Sequence, residues 1–224
     1  MIPLSPRLLC CASMIQGKYV CDIGTDHALL PIYLIKSNRC DHVIATDIRE
    51  GPLAAAKAGL RRHQVEQSVE LCLSDGLDKI PSKNITDVVI AGMGGETIRD
   101  ILAAPAAAWL QRGTNLVLQP MTRAEVLRKW LAENGFTLRK ETAVKDVHLY
   151  TVMQAQYTGE CKAISDVEAY VGKLNLAEPL TKMYIATILE RLHNKRNGIE
   201  QSETPIDTAE IQALIQGINQ WMKK

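Results

Sequence analysis

Five short apolar segments alternate with helix-forming segments along residues 19–134, and this alternation limits the folds that the chain can adopt. The predicted strands are residues 19–23, 42–48, 69–73, 87–91 and 115–118. Strands that are apolar on both faces and are joined through helices belong to parallel sheets covered on both sides. The sequence therefore predicts an open α/β sheet of parallel strands.

Helix signals fill the spaces between these strands. The predicted helices cover residues 7–15, 28–36 and 126–134, and two more begin at Gly51-Pro52 and at Glu96. Ser5 and Pro6 form a helix start, with serine as the N-cap and proline at the first helical position. Thr122 and Glu125 have the spacing of a capping box, and Gly135 fits the C-cap of the last helix.

Two further β-like segments, residues 137–144 and 148–156, follow almost back to back. The space between them is too short for a crossover helix, so the two strands must pair antiparallel. Five parallel strands completed by such a hairpin are typical of the Rossmann-like sheet of class I methyltransferases. A dinucleotide-binding sheet would instead add a sixth parallel strand through a helix.

The pattern changes after about residue 160, where helical signals replace strands. Ser165 and Glu168 form a capping box, and Pro179 fits a first helical position. Apolar residues at helical spacing then form two stripes, separated by a polar stretch at residues 197–205: Leu180, Tyr184, Ile188 and Leu192, followed by Ile211, Leu214, Ile215, Ile218 and Met222. Two amphipathic helices of this kind predict a hairpin. It is either a lid packed on the sheet or a separate substrate-handling arm, and the abrupt change favours an arm. The predicted domains are residues 1–160 and 161–224.

The composition is that of a globular protein that works in the cytoplasm. The chain has 224 residues, of which 46% are hydrophobic, and its net charge of +1 neither indicates nor excludes a nucleic-acid partner. No apolar run is long enough for a membrane span, and the first residues are too short and interrupted for a signal peptide. Six cysteines without a C-x-x-C pair are expected to be reduced and buried, with no metal.

The residues that are unusual for such a sheet all lie at or just after the carboxyl ends of predicted strands. They are Asp22, Gly24, Thr25, Asp26 and His27 for the first strand; Asp47 and Ile48 for the second; Asp75, Gly76 and Leu77 for the third; Gly92, Met93, Gly94 and Gly95 for the fourth; and Gln119 and Pro120 for the fifth. Each residue alone fits ordinary turn chemistry. Together they line the edge where open α/β sheets bind ligands.

The first of these turns favours one class of cofactor. An acid about 20 residues after a strand–glycine–helix turn, here Asp47, holds the ribose of an adenosine-bearing cofactor. The turn lacks the full G-x-G-x-x-G spacing, because Asp26 and His27 stand where glycines would admit a pyrophosphate. A carboxylate at that place would repel a diphosphate but tolerate a cationic ligand. S-adenosylmethionine is therefore favoured over NAD.

Roles for the cofactor-binding residues follow from this chemistry. Asp47 would accept both ribose hydroxyls, and Asp75 would accept the exocyclic amine of the adenine, with Leu77 or Ile48 against the ring. Asp22 and Gly24 would shape the pocket for the methionine part of the cofactor.

The glycines after the fourth strand would leave backbone close to the transferred methyl group. Methyl transfer from a sulfonium is an in-line displacement that mainly requires positioning, so neither a metal nor a covalent intermediate is expected. His27 is either a hydrogen-bonded structural residue or a base.

Several sequence blocks identify a family resemblance. They are D-I-G-T-D-H-A-L-L-P-I-Y-L (22–34), A-T-D-I-x-x-G-P-L (45–53), L-S-D-G-L (73–77), I-A-G-M-G-G (90–95), L-Q-P (118–120) and L-R-K-W-L-A-E-N-G-F (127–136). Over residues 5–155 the chain resembles the bacterial tRNA (adenine-22-N1)-methyltransferases, the TrmK family. The helical hairpin agrees with the small coiled-coil-like C-terminal domain of that family. Residues 145–150 depart from the family's Gly-Lys-aromatic-Tyr pattern and keep only Tyr150.

The resemblance implies S-adenosylmethionine-dependent methylation of the N1 nitrogen of one adenine in tRNA. The product of that reaction is cationic, and Asp26 is the candidate carboxylate that stabilises it; the alternatives are that Asp26 positions the cofactor or is purely structural. Asp26, His27, Gly92, Met93 and Gly94 are the candidate catalytic residues.

Substrate contacts are predicted from the strand ends and from two basic groups. The candidates are Gly95, Gln119, Pro120, Arg123, Arg128, Arg191, Lys195 and Arg196. Basic side chains would contact phosphates, although a solvated charged face explains each group equally well. The alternatives for the whole chain are a methyltransferase of a small molecule or protein and a non-catalytic RNA- or nucleotide-binding homologue. No obligate protein partner is evident.

Overall fold

The computed structural model describes residues 2–81, 84–201 and 208–223. Within these ranges one seven-stranded sheet has the order β3-β2-β1-β4-β5-β7-β6. Its strands are β1 (Tyr19–Ile23), β2 (His42–Asp47), β3 (Val69–Leu73), β4 (Asp87–Gly94), β5 (Asn115–Thr122), β6 (Phe136–Lys145) and β7 (Leu149–Tyr157). The first five strands are parallel, and β7 pairs antiparallel with both β5 and β6. The predicted α/β fold with a closing hairpin is confirmed.

Helices cover both faces of this sheet. They are α1 (Pro6–Met14), α2 (Leu29–Lys36), α3 (Glu50–His63), α4 (Gly95–Ala103), α5 (Ala124–Glu133), α6 (Asp166–Val171), α7 (Pro179–Glu200) and α8 (Ala209–Trp221). A 3-10 helix, Pro105–Arg112, lies before β5 and was not predicted from the sequence. Pro6 and Pro179 occupy the first helical turns of α1 and α7, as expected from their fixed φ angle.

Two apolar clusters fill the space between the sheet and its helices. One includes Cys11 of α1, Leu30 of α2 and Leu60 of α3, and the other includes Ile98 of α4 and Leu127 of α5. Alternate side chains of each central strand enter opposite clusters, because successive residues of a strand point to opposite faces. This double burial explains why the central strands read as continuous apolar runs.

A third cluster joins the C-terminal helices to the β6–β7 hairpin. Tyr184, Ile188 and Leu192 of α7 pack with Ile215 of α8 and with Ala143 of β6. The capping box at Ser165 and Glu168 is present at the start of α6. The polar stretch predicted at residues 197–205 begins later than expected, because α7 continues to Glu200. Residues 202–205 of that prediction lie outside the described ranges.

The prediction that all six cysteines are buried holds for three of them, whereas Cys10 and Cys72 are half-buried. All six cysteines are free, and Cys11, Cys21 and Cys40 are buried. Cys161 is exposed, contrary to the prediction that every cysteine is buried, because it follows the last strand in an irregular segment. In the described part of the chain no helix is both long and apolar enough to cross a membrane.

Candidate functional site

The turn after β1 is tightly constrained by its backbone. Gly24 has φ +75°, and the Thr25 N–H donates to the Thr46 carbonyl of β2 at 2.7 Å. His27 and Ala28 both have positive φ, at 55° and 52°, which is uncommon for residues with a Cβ atom. Consecutive strained residues of this kind cluster at ligand sites. Helix α2 therefore begins at Leu29 rather than at Ala28.

Asp22 is a buried carboxylate at the carboxyl end of β1. Its residue is 6% exposed, and burial raises the pKa of Asp22 to about 6, with a smaller opposite effect from Thr25. A carboxylate withdrawn from water is unfavourable unless a cation or hydrogen-bond donors approach it. The position thus favours a ligand that carries a positive charge.

Asp47 ends β2 and is held in a fixed orientation. Its Oδ1 accepts a hydrogen bond from the Arg49 N–H at 2.8 Å, and the Arg49 guanidinium lies 3.5 Å from the same oxygen. The Asp47 carbonyl accepts the Ser74 N–H, which joins the ends of β2 and β3. A carboxylate accepts up to about four hydrogen bonds, so Asp47 retains capacity for a ligand diol.

The end of β3 supplies an exposed acid beside an exposed apolar side chain. Asp75 is exposed, and Gly76 has φ 51°, which follows from the turn stabilised by the Ser74 hydroxyl. Ile48 is 62% exposed, whereas Leu77 is buried at 2% within the core. Of the two residues expected to contact an adenine ring, Ile48 has the free surface.

The glycine segment after the fourth predicted strand is a continuation of that strand. β4 extends to Gly94 through irregular pairing at Ala91, Met93 and Gly94, and Gly92 has φ 83°. The expectation of a loop at residues 92–94 is therefore wrong, because a bulge lets these residues keep pairing with β5.

Met93 and Gly24 approach each other at the reactive edge of the sheet. A Cβ atom at Gly24 would lie 2.1 Å from the Met93 Cε atom, so the methionine side chain lies directly over this glycine. Methionine is flexible and adapts to its surroundings. A ligand at Gly24 would therefore displace the Met93 side chain.

Gly95 is required by packing rather than by an open surface. It is buried, and a Cβ atom there would lie 2.3 Å from the Arg123 carbonyl oxygen. The glycine thus brings the start of α4 against the start of α5. Its predicted contact with substrate stays a prediction.

Gln119 lies inside β5, which the sequence predicted to end at residue 118. The strand runs to Thr122 because Pro120 and Thr122 still pair with Met93 and Gly94. Gln119 is fully buried, and its Oε1 accepts the Gly92 N–H at 3.1 Å. Gln119 therefore holds the backbone of the β4 end in place.

The capping box predicted at Thr122 and Glu125 is wrong. Thr122 is still in the strand, and Arg123 is the N-cap of α5, with φ 55° and no side-chain capping bond. Arg123 instead pairs with Glu125 at 2.8 Å and approaches Glu96 at 3.7 Å. Helix α5 thus begins through the left-handed backbone conformation of Arg123 instead of a side-chain cap from Thr122.

Arg7 is a site residue that the sequence analysis missed. From the first turn of α1 its Nη1 donates to Gln119 Oε1 at 3.2 Å, and its Nε lies 3.6 Å from Asp146 Oδ2. A Cβ atom at Gly92 would lie 3.3 Å from Arg7 Nη1. A cation in the first turn of a helix interacts unfavourably with the helix dipole. This unfavourable placement is the signal by which the sequence could have singled out Arg7.

Asp26 and His27 stand at the rim of the site. Their side chains are 83% and 61% exposed, and Asp26 Oδ1 lies 3.3 Å from His27 Nε2. Both groups are accessible to an incoming substrate. The role of His27 as a base or as a structural residue stays a prediction.

Arg128 does not reach a phosphate, contrary to the prediction. Its side chain is 1% exposed, and its Nη2 donates to Glu141 Oε1 at 2.7 Å. Burial lowers the pKa of Arg128, but the adjacent Glu141 carboxylate raises it by more. The net pKa is above the ordinary value, so the guanidinium stays charged. Its Nη1 donates to the Ala169 and Tyr170 carbonyls of α6. Arg128 is therefore a structural cation.

Of the basic residues predicted on α7, two face the same groove and one does not. Arg123, Arg191 and Lys195 line a cavity of about 380 Å³ between the end of β5 and α7. Arg196 instead donates from Nη1 to Gln212 Oε1 on α8 at 2.6 Å, so it joins the two helices. Among the described residues, no group of three or more His, Cys, Asp or Glu side chains could hold a metal ion.

Comparisons with known proteins agree with this geometry. Residues 4–153 match a family model described as "Methyltransferase domain". The chain is 29% identical to the tRNA (adenine(22)-N(1))-methyltransferase of Bacillus subtilis (strain 168), over 92% of this chain and 89% of the relative.

Two solved structures resemble the whole chain. A candidate tRNA (m1A22) methyltransferase of Streptococcus pneumoniae, in complex with S-adenosyl-L-methionine, is 26% identical with a TM-score of 0.83, covering 96% of this chain and 98% of that chain. TrmK of M. capricolum, in complex with S-adenosyl-homocysteine, is 26% identical with a TM-score of 0.79, covering 98% of both chains.

Proposed function

The chain belongs to the methyltransferase-domain family, and from this membership and its site we propose that it transfers a methyl group from S-adenosylmethionine to N1 of an adenine in tRNA. Relatives that cover nearly its full length include the tRNA (adenine(22)-N(1))-methyltransferase of Bacillus subtilis, which supports adenine 22 as the target. The observation that carries the proposal is the set of carboxylates along the carboxyl ends of β1, β2 and β3.

This donor set fits S-adenosylmethionine. Asp47, already fixed by Arg49, would accept the ribose hydroxyls, and Asp75 would accept the adenine amine beside Ile48. Asp22 would pair with the ammonium group of the methionine part, because no cation among the described residues pairs with its buried carboxylate. Gly24 leaves room for that part once Met93 moves aside.

When bound, the cofactor supplies an activated methyl group on a sulfonium. The chain then has to hold the target nitrogen in line, and such positioning is worth roughly 7–11 kcal/mol of the barrier. Gln119 and Arg7 fix the Gly92 backbone beside the proposed methyl position. N1 of adenine already offers a lone pair, so no base is needed for the attack itself. The exposed Asp26 carboxylate would stabilise the cationic product.

The two parts of the chain would divide the work. We infer that residues 1–160 bind the cofactor and carry the chemistry, whereas residues 161–224 help to position tRNA. The enzyme would act in the cytoplasm on tRNA, without a metal and without an obligate protein partner.

The test is methylation of an unmodified tRNA transcript by the purified protein with labelled S-adenosylmethionine. We expect label in the tRNA and a reverse-transcription stop at adenine 22, because N1 methylation blocks its pairing edge. Label in a protein or small molecule but not in tRNA would support the alternative substrate. Calorimetry that detects no cofactor binding would support a non-catalytic homologue.

Asp47→Asn tests the cofactor pocket directly. We expect cofactor affinity to fall about 10- to 100-fold, since hydrogen bonds to charged groups are worth about 1.5–3 kcal/mol. Asp41→Asn is the matched control, because Asp41 is an exposed acid just before the opposite end of β2. Equal affinity in the two variants would place the cofactor elsewhere.

A further inference from the structure

The groove between β5 and α7 opens beside the proposed reaction centre. Its wall includes Pro120, which pairs in register with Met93 of β4. Because β7 runs antiparallel to β5, the start of β7, with Tyr150, lies at the same edge. The groove therefore begins one strand away from the glycine segment that would face the methyl group.

Aromatic side chains are concentrated in this groove. Tyr150, Tyr170 and Tyr184 all line it, although the whole chain has only six tyrosines. They come from β7, α6 and α7, so three separate elements contribute an aromatic ring. Ile188, one helical turn after Tyr184, extends the apolar wall. Tyr150 and Tyr184 are largely buried, so the half-buried Tyr170 is the one of these three rings with a face on which an unstacked base can lie.

Two cations of the groove are free to bind an anion. Arg191 and Lys195 are exposed and lie one turn apart on α7. Across the residues that the structure describes, neither has a carboxylate within ion-pairing distance, in contrast to Arg123, which pairs with Glu125. The Arg191 Nε donates only to the Thr187 carbonyl of its own helix.

We propose that this groove binds a nucleotide that flanks the target adenine, with its base against Tyr170 and its adjacent phosphates at Arg191 and Lys195. The inference rests on the proposed tRNA substrate. The target adenine must leave its stack to expose N1, and a neighbouring nucleotide is then also free to leave the helix. Rings and unpaired cations in one groove are the usual components of single-strand sites.

The first experiment removes the two cations in an Arg191→Gln/Lys195→Gln variant. We expect affinity for the tRNA transcript to fall at least about tenfold, and the slope of log affinity against log salt to decrease by about 1.4, or 0.7 for each lost phosphate contact. Affinity for S-adenosylmethionine should stay unchanged. The matched control is Lys57→Gln/Arg61→Gln, which removes the same charge from exposed positions on α3.

The second experiment separates ring stacking from charge. Tyr170 is half-buried, so Tyr170→Phe keeps a ring and should bind tRNA like the wild type. Tyr170→Leu keeps apolar volume without a ring, and we expect about tenfold weaker binding, which is the usual scale for one stacked base. Circular dichroism and cofactor affinity verify that both variants are folded.

Two results would overturn the proposal. One is wild-type tRNA affinity and salt dependence in the Arg191→Gln/Lys195→Gln variant, and the other is an equal loss in the α3 control. In both cases the wild-type enzyme would still methylate tRNA, so the proposed function would stand while the groove proposal failed. A wild-type protein that binds S-adenosylmethionine but never methylates tRNA would instead refute the proposed function.

Discussion

Because the Asp22 carboxylate is deeply buried, both the free energy of unfolding and the affinity for a ligand depend on pH. Its pKa of about 6 lies above its ordinary value of 3.8, so the unliganded fold retains a proton that the unfolded chain has already lost. The free energy of unfolding therefore decreases as the pH rises from about 4 to about 6. An ammonium group bound beside the ionised carboxylate would compensate for this cost.

We predict that affinity for S-adenosylmethionine increases as the pH rises through about 6, because the ionised form of Asp22 attracts the cofactor. Asp22→Asn should weaken binding about tenfold or more at neutral pH and remove this step. The same variant without ligand should be more stable at neutral pH by up to about 3 kcal/mol. Calorimetric titration and urea unfolding across this pH range measure both effects, with Asp41→Asn as control. A step near pH 6 in the asparagine variant would contradict the assignment.

Residue types at strand ends were predictable, but their individual roles were less so. Asp22, Asp47 and Asp75 could be chosen from sequence because each lies at or near the carboxyl end of a recognisable strand. Arg128 could not be distinguished from Arg123, since both are basic residues near the start of α5. Only the structure shows that one is buried against Glu141 and the other is exposed.

At the scale of elements, the buried pair Arg128–Glu141 joins four segments. Arg128 of α5 bonds to Glu141 of β6 and to carbonyls of α6, and Thr151 of β7 donates to the same carboxylate oxygen of Glu141 at 2.6 Å. The Lys173 N–H donates to the other oxygen. This network fixes the C-terminal helices to the sheet.

We predict that Arg128→Met lowers the free energy of unfolding by about 3–5 kcal/mol, because it leaves the buried Glu141 carboxylate without a cation. The neighbouring Lys129→Met should cost no more than about 1 kcal/mol, since Lys129 forms an exposed ion pair with Asp166. Urea unfolding of both variants provides the comparison. Equal midpoints for the two would show that the network contributes little.

Element boundaries differ from the prediction where local signals compete with sheet pairing. Glycine and proline normally end strands, which is why the fourth strand was predicted to end at residue 91 and the fifth at residue 118. Pairing between β4 and β5 extends beyond both predicted ends, with a bulge that absorbs the irregularity. The interior of each strand was correctly predicted because burial on both faces leaves an unambiguous apolar run.

For the whole molecule, the shared clusters predict cooperative folding. The third apolar cluster contains residues of both α7 and β6, so the helices cannot lose their packing without exposing the hairpin. We predict a single calorimetric unfolding transition, with the same midpoint whether it is followed by the helical or by the tertiary signal. Cofactor at about 100 times its dissociation constant should raise the free energy of unfolding by about 2.7 kcal/mol and leave a single transition. An earlier melting of helical signal alone would instead indicate a separately folding arm.

The antiparallel direction of β7 also bears on how such enzymes diversify. The last strand carries the chain away from the reactive edge, so the helices are appended to a sheet that is already complete. Under the proposed division of work, exchanging this appendage for another would alter which RNA is recognised while leaving the chemistry intact. A viable replacement has to cover the β6–β7 hairpin and to offer backbone acceptors to Arg128.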